Sequence, residues 1–351
     1  LEDELAGYDK DTVTSDDQNE MNALVEKLQE KLKDTNLSQE QKADLEKALE
    51  DTKELASQIA RDKETFEAKY IRGAFGEDAS SMYTIQYTTY NSLSYALVTT
   101  ADDPDFTKAK KYYGEGYYFE GRNIWRIEMT DLNSSTDYIY KINKGNDTYS
   151  DVYKFRTAGE DTPTSFLFIT DTHYYTGTTG TTASAAVSEE IVKQALIHNP
   201  NISFIMDSGD LIDTGGNSKI WDIYFDCADS LKQLPFLSVP GNHEYYFNNT
   251  GQKDNSYFKL YNPGPNNGPK ALQGSTGWFK HNDTLFILVD NVKGFGYDEQ
   301  MQWMANLLEN ENYKYCTGST TDSTEYRQYR KNLCCHRCKA PLSGASWLCI
   351  G

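Results

Sequence analysis

The stretch FLSVPGNHEYY, residues 236–246, sets an apolar run against a Pro-Gly turn and then delivers an amide, an imidazole and a carboxylate in succession: Asn242, His243 and Glu244. Such a run reads as a buried strand that surrenders polar groups as it leaves the core. Two further runs have the same shape. SFLFIT (165–170) is followed by Asp171 and His173, and ISFIM (202–206) by Gly209, Asp210 and Asp213. Helical stretches separate them, among them AAVSEEIVKQALIHN, whose Val187, Ile191, Ala195 and Leu196 are expected to share one buried face. Continuous apolar strands alternating with helices define an α/β layer structure around a buried sheet. In such a sheet ligands bind beyond the carboxyl ends of the strands, so the three polar clusters are expected to converge in one crevice.

The donor types fit a pair of metal ions. Asp171 and His173 can point the same way along an extended segment, Asp210 can bridge two ions, and Asn242 can bind the second through its side-chain oxygen without adding charge. Carboxylate, imidazole and amide donors suit Mn, Fe, Zn or Ni and select none of them. Two such ions clamp a phosphate and lower the pKa of a bridging water, so that hydroxide attacks phosphorus in line. His243, beside Asn242, is placed to meet phosphate oxygens or the leaving group. Gly209 and Gly241 let the backbone turn tightly around the centre.

The order D-x-H, G-D-x-x-D, G-N-H-E at these spacings resembles the calcineurin-like metallophosphoesterases. GWFKHNDTLFILVDN, followed by DEQMQWMANLLEN, is similar to the strand pair and helix that come next in the branch with an N-terminal sandwich. The resemblance covers about residues 70–315. It implies that Asp171, His173, Asp210 and Asn242 are metal ligands, that His243 is the phosphate-contacting acid, and that Asp213 orients His243. Purple acid phosphatases carry a tyrosinate ligand at the position of Asp213, so the resemblance implies a colourless centre here. The family pattern continues with a metal-binding His and a G-H-x-H motif. This chain has five histidines, His173, His198, His243, His281 and His336, and the pattern stops after Tyr315. The missing ligands imply impaired turnover.

Upstream, the period changes to two. MYTIQYTTY alternates Tyr83, Ile85 and Tyr87 against Thr84, Gln86 and Thr88, and IWRIEM alternates Trp125, Ile127 and Met129 against Arg126 and Glu128. These read as half-buried strands of a β-sandwich over residues 70–158. MTDLNSSTDYIYKI and YSDVYKFRT resemble the closing strands of fibronectin type III-like modules, in particular the one preceding the catalytic domain of purple acid phosphatases. Residues 1–69 read as a helical hairpin. Ser15 and Gln18, then Ser38 and Gln41, have capping-box spacing ahead of apolar seams at Met21, Leu24, Val25, Leu28 and Leu32 and at Leu45, Leu49, Leu55 and Ile59. The charge pattern is that of a solvated spacer or stalk, with self-association through the seam as the alternative.

The expected layout is therefore a hairpin at 1–69, a sandwich at 70–158, an incomplete metallophosphoesterase domain at 164–315 and a Cys-rich tail at 316–351. Cys227 stands alone before the tail, which holds the other five cysteines and is basic, five Lys and Arg against two Asp and Glu. A reading-frame shift near Cys316 or a truncated gene model accounts for the changed composition and the lost histidines together; a native tail on a non-catalytic relative is the alternative. Cys227 reads as a small apolar residue, His198 as a favourable contact near a helix C-terminus, and His281 as an exposed turn residue.

Composition bounds the rest. A net charge of −19 argues against a broad grip on nucleic acid or anionic lipid. No run approaches the roughly 18 apolar residues of a membrane span. Two functions fit: a phosphoesterase acting on a phosphate-ester substrate, outside the cytoplasm or at the cell surface given the sandwich and stalk, or a non-catalytic binding or adhesion module on the same scaffold. The loops TGTTGTTASAA (176–186) and YNPGPNNGPKALQGSTG (261–277) are candidate rims of the crevice.

Overall fold

The computed structural model describes residues 23–25, 27–34, 37–65, 67–89, 94–120, 122–145, 148–174, 181–246, 255–292, 296–320, 340–341 and 346–350. The Ser15–Gln18 start signal and the cysteines at 334, 335 and 338 lie outside them. Residues 23–25 and 27–31 are helical, followed by helix α1 (Gln39–Thr65). The second capping box is present in both directions: the Ser38 amide donates to Gln41 Oε1 at 3.0 Å and the Gln41 amide to Ser38 Oγ at 3.2 Å. Leu28 and Thr52 are buried, and Leu45 and Leu49 half-buried, along a thin seam.

Strands β1 (Lys69–Phe75), β2 (Tyr83–Thr89), β3 (Tyr95–Thr100), β4 (Lys110–Tyr113), β5 (Glu115–Phe119), β6 (Arg122–Met129), β7 (Asp137–Gly145), β8 (Thr148–Tyr149) and β9 (Tyr153–Arg156) form two sheets. Their orders are β1-β2-β6-β5 and β4-β3-β7-β8, with β9 against β7. Tyr83, Ile85 and Tyr87 meet Tyr140, Ile142 and Phe155 between the sheets, Tyr83 stacking on Phe155 with centroids 3.9 Å apart. The expected alternation of buried and exposed is not kept, for β2 is buried along its whole length. The reason is a second docking surface. The outer face, carrying Gln86 and Ile124, lies against the helical layer of the next sheet, with Gln86 Nε2 donating to the Leu260 carbonyl and Ile124 packed in one cluster with Trp221, Phe225 and Tyr261.

That next unit is layered. Parallel strands β10 (Phe166–Ile169), β11 (Phe204–Asp207) and β12 (Phe236–Ser238) are linked by helices α2 (Thr181–His198) and α3 (Ser218–Cys227). Helix α4 (Ser256–Tyr261) and the antiparallel pair β13 (Gly277–His281) and β14 (Thr284–Leu288) follow, then α5 (Tyr297–Asn310) and β15 (Tyr315–Ser319), which runs parallel to β14. Strands β16 (Ala340–Pro341) and β17 (Ser346–Ile350) extend this sheet beyond β15. Phe204, Met206 and Leu237 face Phe279, Phe286 and Leu288 between the two sheets. Ile205 and Phe236 face α2 and α3, while Leu285 and Ile287 face Met304 and Leu307 of α5. Alternate strand residues thus enter different cores, which is why the strands read as continuous apolar runs.

Two sequence expectations are corrected. Helix α2 buries Val192, whereas Val187 and Ile191 are 58% and 62% exposed. Apolar residues are spread over every side of the helix among polar ones, so periodicity does not fix which face turns inward. His281 is fully buried rather than exposed. It is the last residue of β13, and pleat alternation from Phe279 turns it into the core against Phe75 and Phe204, with Nδ1 3.0 Å from Thr164 Oγ1. Burial pulls its pKa down to about 4. The unfolded chain protonates this histidine first, so stability is complete above pH 6.5 and falls between pH 6.5 and 4, by about 3 kcal/mol from this group. Urea midpoints from pH 8 to 4 are expected to show the loss, and His281→Phe to remove it.

Candidate metal centre

In the parallel sheet Ile169 pairs with Asp207 and Asp207 with Ser238, so all three strands end at one level. The chain then turns along the same edge. The amides of Asp171 and His173 donate to the carbonyls of Gly209 and Asp210 at 3.1 and 2.9 Å. Asp171, His173 and Asp210 all have positive φ, at 53°, 42° and 54°, and Gly209 has 101°. Left-handed backbone at three non-glycine residues costs energy at each. It is held by the pairing between loops, and it aims three polar side chains at one point.

Ligand atoms of His173, Asp210 and His243 lie within 4.8 Å of one another. His173 Nε2 is 3.8 Å from Asp210 Oδ2 and 3.5 Å from Asp171 Oδ1, and the rings of His173 and His243 meet edge to face at 4.3 Å. Asp210 is nearly buried, whereas Asp171 and Asn242 are exposed. A buried carboxylate and two imidazoles at this separation form a donor set that fits a divalent transition metal. Asn242 is at the same edge, but its amide nitrogen donates to the Tyr246 hydroxyl at 2.9 Å. His243 Nδ1 lies 2.7 Å from the main-chain carbonyl of Asp213 and 3.5 Å from its carboxylate. A carbonyl only accepts, so Nδ1 carries its proton there and Nε2 is the nitrogen left for other contacts. Residue 213 therefore does contact His243, and the shorter contact is through the backbone.

The residue that ties the loops together was legible only as a member of the third cluster. Glu244 is 1% exposed and accepts from the amides of Gly241 at 2.6 Å, Asp210 at 2.9 Å and Ile212 at 3.1 Å. Burial lifts its carboxyl to about 7 against the pull of those amides. Below it Asp207, fully buried, accepts from Ser238 Oγ at 2.7 Å and the Gly209 amide at 3.2 Å, and desolvation raises its pKa well above the carboxylate range. Asp290, buried past the end of β14, accepts from the Tyr245 hydroxyl at 2.7 Å and Asn255 Nδ2 at 3.0 Å. A carboxylate closing an apolar run, as in FIMD and FILVD, is the sequence signal for both.

Gly241 has no room for a side chain. A Cβ there would lie 2.1 Å from Asp210 Oδ1 and 2.4 Å from the Asp210 amide. Gly241→Ala is expected to displace Asp210 and weaken metal binding at least tenfold while the far-ultraviolet dichroism is kept; titration calorimetry with Mn2+ measures it.

An α/β sheet that gathers carboxylates and imidazoles at one edge is a scaffold suited to holding a metal ion. Residues 164–328 match the model of the calcineurin-like phosphoesterase family. Its fold is similar to that of a purple acid phosphatase isolated from yellow lupin (Lupinus luteus) seeds, at 14% identity and a TM-score of 0.51, over 68% of this chain and 48% of that one. This chain thus spans about half the length of that phosphatase. The sensor domain of the anti-sigma factor RsgI4 in Pseudobacteroides cellulosolvens is similar over 26% of this chain and 81% of its own, at 19% identity and a TM-score of 0.19. No curated protein matches the chain.

Proposed function

We propose that the chain is a metal-dependent phosphoesterase with a centre of two divalent ions, Mn, Fe, Zn or Ni. Asp171, His173 and Asp210 would hold the first, and Asp210 and Asn242 the second. The observation that carries this reading is the common level of the three strand ends, which brings five donor side chains to one edge. When bound, the ions supply Lewis-acid polarisation of the phosphoryl group and a water ionised near neutral pH. The chain's own residues do the rest. His243, with Nδ1 held by the Asp213 carbonyl, would act as an imidazolium: its second proton, on Nε2, passes to the ester's leaving oxygen and leaves the neutral ring. Glu244 keeps the second and third loops in register. Among the described residues only His173 and His243 bring imidazoles to this edge, so turnover is expected to be slow. The hairpin, sandwich and phosphoesterase layout, and a place outside the cytoplasm, belong to the same proposal.

A second reading has a specific basis: His243 lies close enough to His173 and Asp210 to be a third ligand of one ion. The metal content of the purified chain and of His243→Ala separates the two. With two ions, His243→Ala is expected to keep the metal content and lose at least 100-fold in turnover of 4-nitrophenyl phosphate; with one, the metal itself is lost. Absence of chelator-sensitive turnover with all four metals would sink the enzyme reading in favour of a binding module.

A further inference from the structure

Beside the candidate metal centre lies a second, partly open space. A cavity of about 480 Å³ lies between α2 and the outer face of the parallel sheet, running from Asp171 and Thr172 at the strand ends down to Leu231. Its walls are Ile169, Val192, Ile205, Tyr224 and Leu231, with the exposed Ile191 on its lining. The size and lining are those of a site for a small organic molecule. Two acidic residues line it, Asp171 at the strand ends and Glu189 deeper in, and Glu189 is already engaged: its Oε1 accepts from the Ser230 amide at 3.0 Å and Ser230 Oγ at 2.8 Å, with Lys193 Nζ at 3.4 Å. The interior therefore asks for apolar rather than charged groups. Its other end is Asp171, whose Oδ1 lies 3.5 Å from His173 Nε2, so the cavity and the candidate metal centre share a wall.

Resting on the phosphoesterase reading, we propose that this cavity receives the organic group of the substrate, and that the substrate class is a phosphate ester of an aryl or branched apolar alcohol. A phosphoryl group bound by metal ions that Asp171, His173 and Asp210 would hold stands at the mouth, and the attached group extends under α2. The exposure of Ile191 on a helix of a highly charged protein fits a wall that a ligand covers.

The test is titration calorimetry of the Mn2+-loaded chain with three probes: 1-naphthyl phosphate, glycerol 2-phosphate and 1-naphthol. Burial of about 100 Å² of aromatic surface predicts that 1-naphthyl phosphate binds roughly 70-fold more tightly than glycerol 2-phosphate. Val192→Phe and, independently, Leu231→Trp narrow the cavity where the aryl group would lie and are expected to bring the ratio below tenfold, while glycerol 2-phosphate, which does not enter it, keeps its affinity. Equal affinity of the two esters for the wild type, or a ratio that both substitutions leave intact, would overturn the proposal. Binding of 1-naphthol with neither ester bound would separate the two ideas: the cavity would stand as an apolar site, and the phosphoesterase reading, with the substrate class drawn from it, would fall.

Discussion

Glu244→Ala is expected to lower unfolding stability by about 4 kcal/mol and to abolish metal binding at micromolar concentrations. Three buried amides, on Asp210, Ile212 and Gly241, lose their acceptor together. Each orphaned buried donor costs about 1–3 kcal/mol. Alanine also leaves space beneath the third loop, where Gly215 packs so tightly that a Cβ on it would lie 2.2 Å from the Glu244 carbonyl. The functional loss follows from the same bonds. The Asp210 amide is one of the three, and Asp210 holds a left-handed φ and receives the His243 amide on Oδ1 at 2.9 Å. Without Glu244 the carboxylate that faces both histidines is free to turn away. Denaturant unfolding with EDTA isolates the structural part, since no ion then contributes. Glu244→Gln keeps the shape and one good acceptor and is expected to cost about half as much. A Glu244→Ala variant within 1 kcal/mol of wild type would show that water satisfies the amides and that the residue does not hold the loops.

The metal edge was readable from sequence because each strand is apolar on both faces and ends abruptly in polar residues. No second pattern competes with FLFIT, SFIM and FLSV, and the residues just past them have to emerge at the same end of a parallel sheet. The Ser38 capping box was readable for a similar reason, as its two hydrogen bonds involve only residues three apart. What escaped depends on partners distant in sequence. His281 reads as a turn residue beside Asn282 and Asp283, and only the pairing of β13 with β14 and the cover supplied by Phe75 make it a core residue. The inward face of α2 is chosen by the sheet beneath, since its own apolar residues encircle it. Asn242 was assigned as a ligand from its motif, yet the direction of its amide is set by Tyr246, a contact between side chains that spacing cannot orient. Glu244 was visible but had no role until the amides of the neighbouring loop were placed around it.

Arg72 carries no distinguishing signal in the sequence, and its removal is the second large effect expected. It is 1% exposed with no carboxylate against it in the described contacts: Nε donates to the Tyr261 carbonyl at 2.7 Å, and the two terminal nitrogens to the Tyr70 carbonyl and Gln86 Oε1, each at 2.6 Å. Its guanidinium carbon lies 4.1 Å from the centre of the Phe225 ring. The side chain thus ties β1 and β2 to α3 and α4, which lie in the unit that carries the candidate metal centre. Arg72→Ala leaves three acceptors unmet and opens a void, which together are expected to cost about 4 kcal/mol. Arg72→Met fills most of the void and removes a buried charge that burial itself disfavours, so its cost is expected to be near half of that. The effect should extend to the metal edge. Tyr261 ends α4, Asn255 precedes that helix and donates to Asp290, and Asp290 accepts from Tyr245, two residues beyond His243. Mn2+ affinity in Arg72→Met, measured well below its melting temperature, is therefore expected to fall three- to tenfold. An Arg72→Met chain that is destabilised with unchanged Mn2+ affinity would show that the sandwich braces the fold without setting the geometry of the site. A joint loss would make the sandwich a positioning element of the centre, reached through one buried cation.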